Sequence, residues 1–396
     1  MANAYLASKP RYEILDGLRG VAALIVVAFH MFEEYRVPGH FETQFINHGY
    51  LAVDFFFVLS GFVTGYAYND RWDRMSTVDF FKRRLTRLHH MVVFSVIIGA
   101  SFYFFQGYTS PMAREDNGWI LFLICILTDL FLIPVGPKID VRGWGEITSF
   151  NGPSWSLMFE YWGNILYAFI FRRLPKIALA AICVCCMFFT MDLALGWDVF
   201  DIFPKEKYNV IGGWELNWRH MYPGFVRLIY PYVCGLLISR ILPEHITPDN
   251  PSGSPIHLKG GFWWCSLAVF VILFMPCIGG KVGIADGIYQ CVVIWFLFPL
   301  LVIAGAGSVI KGERTRKVCK FLGDLSYPLY IVHYPVAMMQ FGWLKRNPDA
   351  PLWMHIGVFI AVYVISIALA YGALKAYDEP VREWLKNHWL RKPDKS

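Results

Sequence analysis

An arginine and a histidine stand eleven residues apart in the segment Asp16-Gly-Leu-Arg19-Gly-Val-Ala-Ala-Leu-Ile-Val-Val-Ala-Phe-His30. In a helix that separation puts both on one face, within about 20° of each other and roughly 16 Å apart along the axis. A guanidinium binds phosphate in a fixed fork geometry. An imidazole can take a proton from a hydroxyl near neutral pH. One helix face therefore offers a phosphate grip at one end and a base at the other, which suits a phosphate-rich ligand carrying a reactive tip. The same spacing also fits a cationic anchor plus a histidine bonded to a neighbouring helix.

Further polar groups sit in apolar surroundings. Asp54 lies in Val53-Asp54-Phe-Phe-Phe-Val-Leu-Ser60-Gly61-Phe; from a neighbouring helix it could pair with His30 or Arg19 and fix the imidazole tautomer. Gly61 and Gly65 form a small-xxx-small pair suited to close helix packing. Trp155 opens a stretch in which Ser156, Glu160, Asn164 and Tyr167 recur at helical spacing, a polar stripe that must face a bundle interior or a wet cavity. Glu160 turns that stripe from a plain interhelical seam into a candidate site. In Leu325-Ser326-Tyr327-Pro328-Leu-Tyr330-Ile-Val-His333-Tyr334-Pro335, Tyr327 and His333 either line the same cavity or serve the backbone freed by Pro335. The run Lys82-Arg83-Arg84-Leu-Thr-Arg87-Leu-His89-His90 is a cationic mouth for an anionic ligand or for anionic lipid.

The elements holding these residues are membrane helices. Of 396 residues, 56% are apolar and 17% charged, and the mean hydropathy is +0.42; a soluble domain carries about 25% charged residues. Disorder, fibrous repeats and disulfide scaffolds are excluded on the same grounds. The nine cysteines read as small buried hydrophobes without metal-ligand spacing, so no metal is expected. Eleven segments approach spanning length: 17–33, 50–68, 89–107, 119–136, 154–171, 176–196, 222–241, 261–279, 286–306, 324–341 and 353–374. Basic residues then select the topology. If 119–136 dips in and returns, 25 Lys and Arg lie inside, 10 outside, and Arg227 falls within a span. The expectation is an all-α polytopic bundle with ten net crossings and one re-entrant segment. A short N-terminus (1–16) and a basic tail (375–396) would both be cytoplasmic. The first apolar run lacks a cleavage site after it and reads as a retained anchor. The aromatic loop 197–221 reads as an interfacial belt or a sugar platform.

Together these blocks resemble the acyltransferase-3 family of polytopic membrane acyltransferases. The Arg19/His30 pair matches its Arg-x10-His pattern, and Asp54–Phe62, Arg83–Arg87, Trp155–Glu160 and Leu325–His333 follow in family order. The resemblance implies transfer of an acyl group, usually acetyl from acetyl-CoA, to a hydroxyl of an envelope glycan or similar acceptor, at the inner membrane. It implies that Arg19, Arg83, Arg84 and Arg87 hold the CoA phosphates and that His30 is essential. His30 would act as general base or transient acyl carrier, oriented by Asp54 or Glu160, with Trp155, Ser156, Asn164, Tyr327 and His333 toward substrate. One membrane domain over 1–396, without the SGNH domain many relatives append, and no nucleic-acid partner are expected. The rival classes are a secondary transporter, disfavoured by the lack of repeated halves, and a non-catalytic glycan-assembly protein.

Overall fold

A computed structural model describes residues 9–37, 40–106, 118–203, 207–242 and 256–390. The first eight residues of the N-terminus and the last six of the basic tail lie outside the described residues. Each of the eleven apolar segments contains one helix: α1 Glu13–Phe32, α2 Ala52–Tyr68, α3 Thr77–Tyr103, α4 Gly118–Leu130, α5 Trp155–Phe169, α6 Lys176–Ala194, α7 Trp218–Ile241, α8 Gly261–Phe274, α9 Ile284–Gly307, α10 Glu313–Arg346 and α11 Leu352–Trp389. Seven of them, α1, α2, α3, α6, α7, α9 and α11, are long and apolar enough to cross a membrane. Large apolar side chains cover the outside: Ile177 and Val184 on α6, Trp263 and Leu267 on α8, and Trp353, Ile360 and Val364 on α11 are exposed. An apolar exterior around a polar interior is what a lipid solvent selects.

α1 and α10 pack side by side along the centre, and α2 packs on α7. The second pairing explains the glycine spacing in α2. A Cβ added at Gly61 would lie 1.9 Å from the Tyr232 carbonyl oxygen, and one at Gly235 would lie 2.0 Å from that of Val58. The two backbones touch through both glycines. Gly61→Val is therefore expected to abolish the folded peak in size-exclusion chromatography of the detergent-solubilised protein. A wild-type yield of folded variant would contradict this packing.

The first and last described residues, Lys9 and Leu390, lie at one end of the bundle, termed the basic end. There Arg11 pairs with Asp324, Glu13 with Arg316, and the Tyr66 hydroxyl donates to the Pro10 carbonyl. The second half of α11 is tied to α3 by His90 and Asp378, 2.5 Å apart.

α4 doubles back. Phe131, just past its end, packs against His89 in the middle of α3. Ten residues later the Val141 carbonyl accepts from the Tyr103 hydroxyl, and Arg142 donates to Gln106 at 2.6 Å, back at the far end of α3. The irregular return is satisfied internally: Asp129 accepts the amides of Ser149 and Phe150, and Asp140 those of Trp144 and Gly145. The chain then descends through Asn151, beside Ser95, into α5.

α10 carries two prolines and stays helical. Pro335 removes the amide that would bond the Ile331 carbonyl. Asn151 Nδ2 replaces it at 2.8 Å, with Ser95 Oγ also pointing there at 3.4 Å. The loop after α4 thus repairs the helix that carries His333.

Candidate active site

Six helices surround a cavity of about 360 Å³ at the basic end. Nine Lys and Arg line it against four Asp and Glu, so it favours an anion. Arg19, Arg83, Arg84, Arg87, Ser156, Glu160 and Tyr327 all reach it. Sequence reasoning had placed them in four separate blocks.

The arginines differ in how far they are already engaged. Arg84 is buried, donating to Glu160 Oε1 at 2.6 Å, and Ser60 Oγ donates to the same oxygen at 2.7 Å. Arg19 donates to Ser326 Oγ at 2.8 Å and to the Gly323 carbonyl at 3.0 Å, with Asp16 at 3.5 Å. Arg87 is exposed into the cavity and makes no hydrogen bond or ion pair among the described residues. Its guanidinium has its whole fork available for a ligand.

The cavity ends at a polar plug. Ser156 Oγ and the Tyr330 hydroxyl are 2.7 Å apart and both lie within reach of the Pro153 carbonyl, so one donates to the other and the second to the carbonyl. One turn beyond lies His333, fully buried, with Nδ1 folded back on the Leu329 and Tyr330 carbonyls at 3.1 and 2.8 Å. Only a protonated Nδ1 can donate to carbonyls, so Nε2 carries the lone pair, and it has no hydrogen-bond partner.

His30 is next in line. Its ring centroid is 5.3 Å from that of His333 and 5.3 Å from that of Tyr334. Its Nδ1 lies 2.9 Å from Glu33 Oε2. A carboxylate can only accept, so Nδ1 bears the proton when the ring is neutral and Nε2 is the basic atom. Beyond His30, a second cavity of about 270 Å³ opens at the far end, lined by Glu33, Glu34, Arg36, Trp144, Tyr334 and Phe341. Beside it, burial pushes the Glu146 carboxyl up to about 8, Asp140 adding to the effect and Arg142 opposing it. His30 thus sits inside the bundle but outside the lining of the basic cavity, with Tyr330 and His333 in between.

Several predicted site residues make contacts other than those expected. Asp54 does not orient His30, because Arg227 holds it with Nη2 at 2.7 Å and Nε at 3.1 Å, both residues being buried. Arg227 also donates to the Tyr50 carbonyl and lies over the Trp155 ring, so Trp155 packs on this ion pair. Glu160 serves Arg84 and Ser60, not the imidazole. The polar stripe on α5 divides: Ser156 and Glu160 face the cavity, whereas Asn164 meets Tyr232 and Tyr167 meets Asn69 and Trp72 in a helix seam. His333 does not serve the backbone freed by Pro335, which falls to Asn151 and Ser95.

A family profile described as an acyltransferase domain matches residues 12–375. The chain belongs to the acyltransferase-3 family. It is 25% identical over 381 residues to the acyltransferase MdmB of Streptomyces mycarofaciens, covering 92% of this chain and 89% of that one. Over 168 residues it is 33% identical to protein 2 of the picA locus of Rhizobium radiobacter, which is 40% of this chain and 81% of that one. A Staphylococcus aureus (strain COL) protein named as a candidate O-acetyltransferase is 22% identical over 366 residues, 90% of this chain and 55% of the staphylococcal protein, so the chain spans about half of it. No solved structure matches. Family and relatives make this protein an O-acyltransferase, and the site must be read as one that moves an acyl group to a hydroxyl.

Sequence reasoning missed Glu33. Its signal was the i, i+3 spacing from His30, since residues three apart share a helix face. Tyr330 and Ser60 had the weaker signal of lying in the same blocks as Tyr327 and Asp54.

Proposed function

We propose that the basic cavity takes the nucleotide phosphates of an acyl thioester, with acetyl-CoA as the donor, and that His30 Nε2 is the base that activates the acceptor. The observation that carries this reading is the line running from Arg87 and Arg19 through Tyr330 and His333 to His30, whose Glu33 contact leaves Nε2 basic. The bundle makes ten crossings with α4 re-entrant and lies in the inner membrane with the basic end and both termini cytoplasmic. The doubling back of α4 and the gathering of cations at one end support that orientation.

The donor enters by its phosphates at Arg19, Arg83, Arg84 and Arg87, and its acyl end displaces the Tyr330–Ser156 plug. The acceptor, a hydroxyl of an envelope glycan, approaches through the far cavity. His30 Nε2 takes the hydroxyl proton, the oxygen attacks the thioester carbonyl, and the C–S bond breaks. The leaving thiolate recovers the proton from the imidazolium. Glu33 stabilises the transient charge on the ring. General-base help of this kind is worth about 10²–10⁴-fold. Direct transfer is favoured over an acyl-imidazole because Glu33 and the two aromatic neighbours hold the ring to take the proton from an acceptor coming from the far side.

Arg87→Ala tests the donor site. Hydrogen bonds to charged groups contribute about 1.5–3 kcal/mol, so the KM for acetyl-CoA should rise roughly ten- to hundredfold with kcat at saturating donor little changed. An unchanged KM would place the nucleotide elsewhere.

A further inference from the structure

At the far end, the start of α2 meets the turn between α8 and α9, and three ligand-type side chains converge there. A His48 ring nitrogen, Cys277 Sγ and an Asp286 carboxylate oxygen all lie within 4.8 Å of one another. His48 is fully buried, Asp286 is 1% exposed and Cys277 9%. None of them has a part in acyl transfer as derived above.

The His48 ring is already set for a cation. Its Nδ1 lies 2.6 Å from the Met275 carbonyl oxygen and must be the donor, so Nε2 bears a lone pair in the neutral ring. Nε2 lies 3.2 Å from Asp286 Oδ1, out of line for a hydrogen bond, and has no hydrogen-bond partner. A buried ring nitrogen left unpartnered beside a buried carboxylate calls for positive charge at the site, and a metal ion supplies it. A backbone carbonyl on the second ring nitrogen is the usual support of a metal-bound imidazole. Asp286 is held too: its two oxygens accept from the Ile278 amide at 2.9 Å and Gln290 Nε2 at 3.1 Å. The Tyr289 ring packs on His48 with centroids 4.7 Å apart and screens the group from solvent.

We propose that His48, Cys277 and Asp286 bind a zinc ion, with water as the fourth ligand. Zinc takes nitrogen and oxygen ligands at about 2.0–2.2 Å in a tetrahedron, which puts a ligand nitrogen and oxygen roughly 3.3 Å apart, close to the His48–Asp286 separation. One imidazole, one thiolate and one carboxylate suit zinc better than magnesium or calcium. Binding releases the thiol proton to solvent. The thiolate and carboxylate charges then cancel the ion's, so the buried site is neutral. The ion clips α2 to the α8–α9 turn. Cys277 lies in the turn after α8, inside the apolar segment 261–279 but past the end of its helix.

The test uses the full-length protein purified in detergent without chelator, loaded with zinc and desalted. The expected content is about one zinc per chain, falling at least tenfold in His48→Asn and in Cys277→Ser. Wild-type protein that retains no stoichiometric zinc, or variants that retain as much as wild type, would overturn the site. Should the variants fail to fold, cobalt loading of the wild type decides: a thiolate-to-cobalt charge-transfer band in the near ultraviolet supports the site, and its absence refutes it.

Discussion

His30→Ala is expected to lower acyl transfer by about 10²–10⁴-fold, or roughly 3–5 kcal/mol of transition-state stabilisation, while the protein inserts normally and binds CoA with unchanged affinity. The separation of the two effects follows from distance. His30 lies outside the lining of the cavity that holds the arginines, with Tyr330 and His333 between them. Removing the imidazole leaves the phosphate grip intact. Glu33→Gln provides the companion result. Its amide can still meet Nδ1, yet it cannot balance the charge of the imidazolium, so kcat should fall with little change in the donor KM. Isothermal titration with CoA and initial rates with acetyl-CoA separate binding from chemistry. Full activity in His30→Ala would remove the imidazole from the mechanism.

Arg227→Ala should cost more stability than any other single change at the ion pairs. Asp54 is fully buried and Arg227 is 2% exposed, and the guanidinium supplies the carboxylate with two donors. Deleting it strands a charge in a low-dielectric interior, a loss of about 3–5 kcal/mol. The variant is expected to show a sharply lowered thermal midpoint in detergent, or no folded fraction. The double change Asp54→Leu with Arg227→Leu should recover most of the loss, because an apolar pair of similar volume avoids the desolvation of two charges. If the single and double variants unfold alike, the pair contributes through packing around Trp155 and Tyr50 and not through charge.

These residues also mark what the sequence could and could not reveal. The helices were legible because hydrophobic length is a local property: each apolar segment holds one helix. The arginines of the cavity were legible because their blocks are dense and polar in apolar surroundings. Pairing was not. Asp54 and Arg227 are 173 residues apart, and nothing local says that α2 and α7 meet through Gly61 and Gly235. A carboxylate for His30 was sought on neighbouring helices, whereas Glu33 stands one turn along the same one. The α5 stripe was legible as polar but not as divided, since which half faces a cavity depends on where Tyr232 and Tyr330 lie. The role of Asn151 in repairing the backbone at Pro335 is likewise invisible without the fold.

The central claim is that a thioester anchored at the basic end brings its acyl carbon beside His30, which activates the acceptor there. It is tested most directly by a cryo-EM structure with a non-hydrolysable acetyl-CoA analogue. The account predicts phosphates on Arg19, Arg84 and Arg87, the Tyr330 ring swung away from Ser156, and the acyl carbonyl beside His30 on its Nε2 side. A bound analogue whose acyl end stops short of Tyr330, or whose nucleotide sits at the far end among Glu33, Glu34 and Trp144, would contradict it.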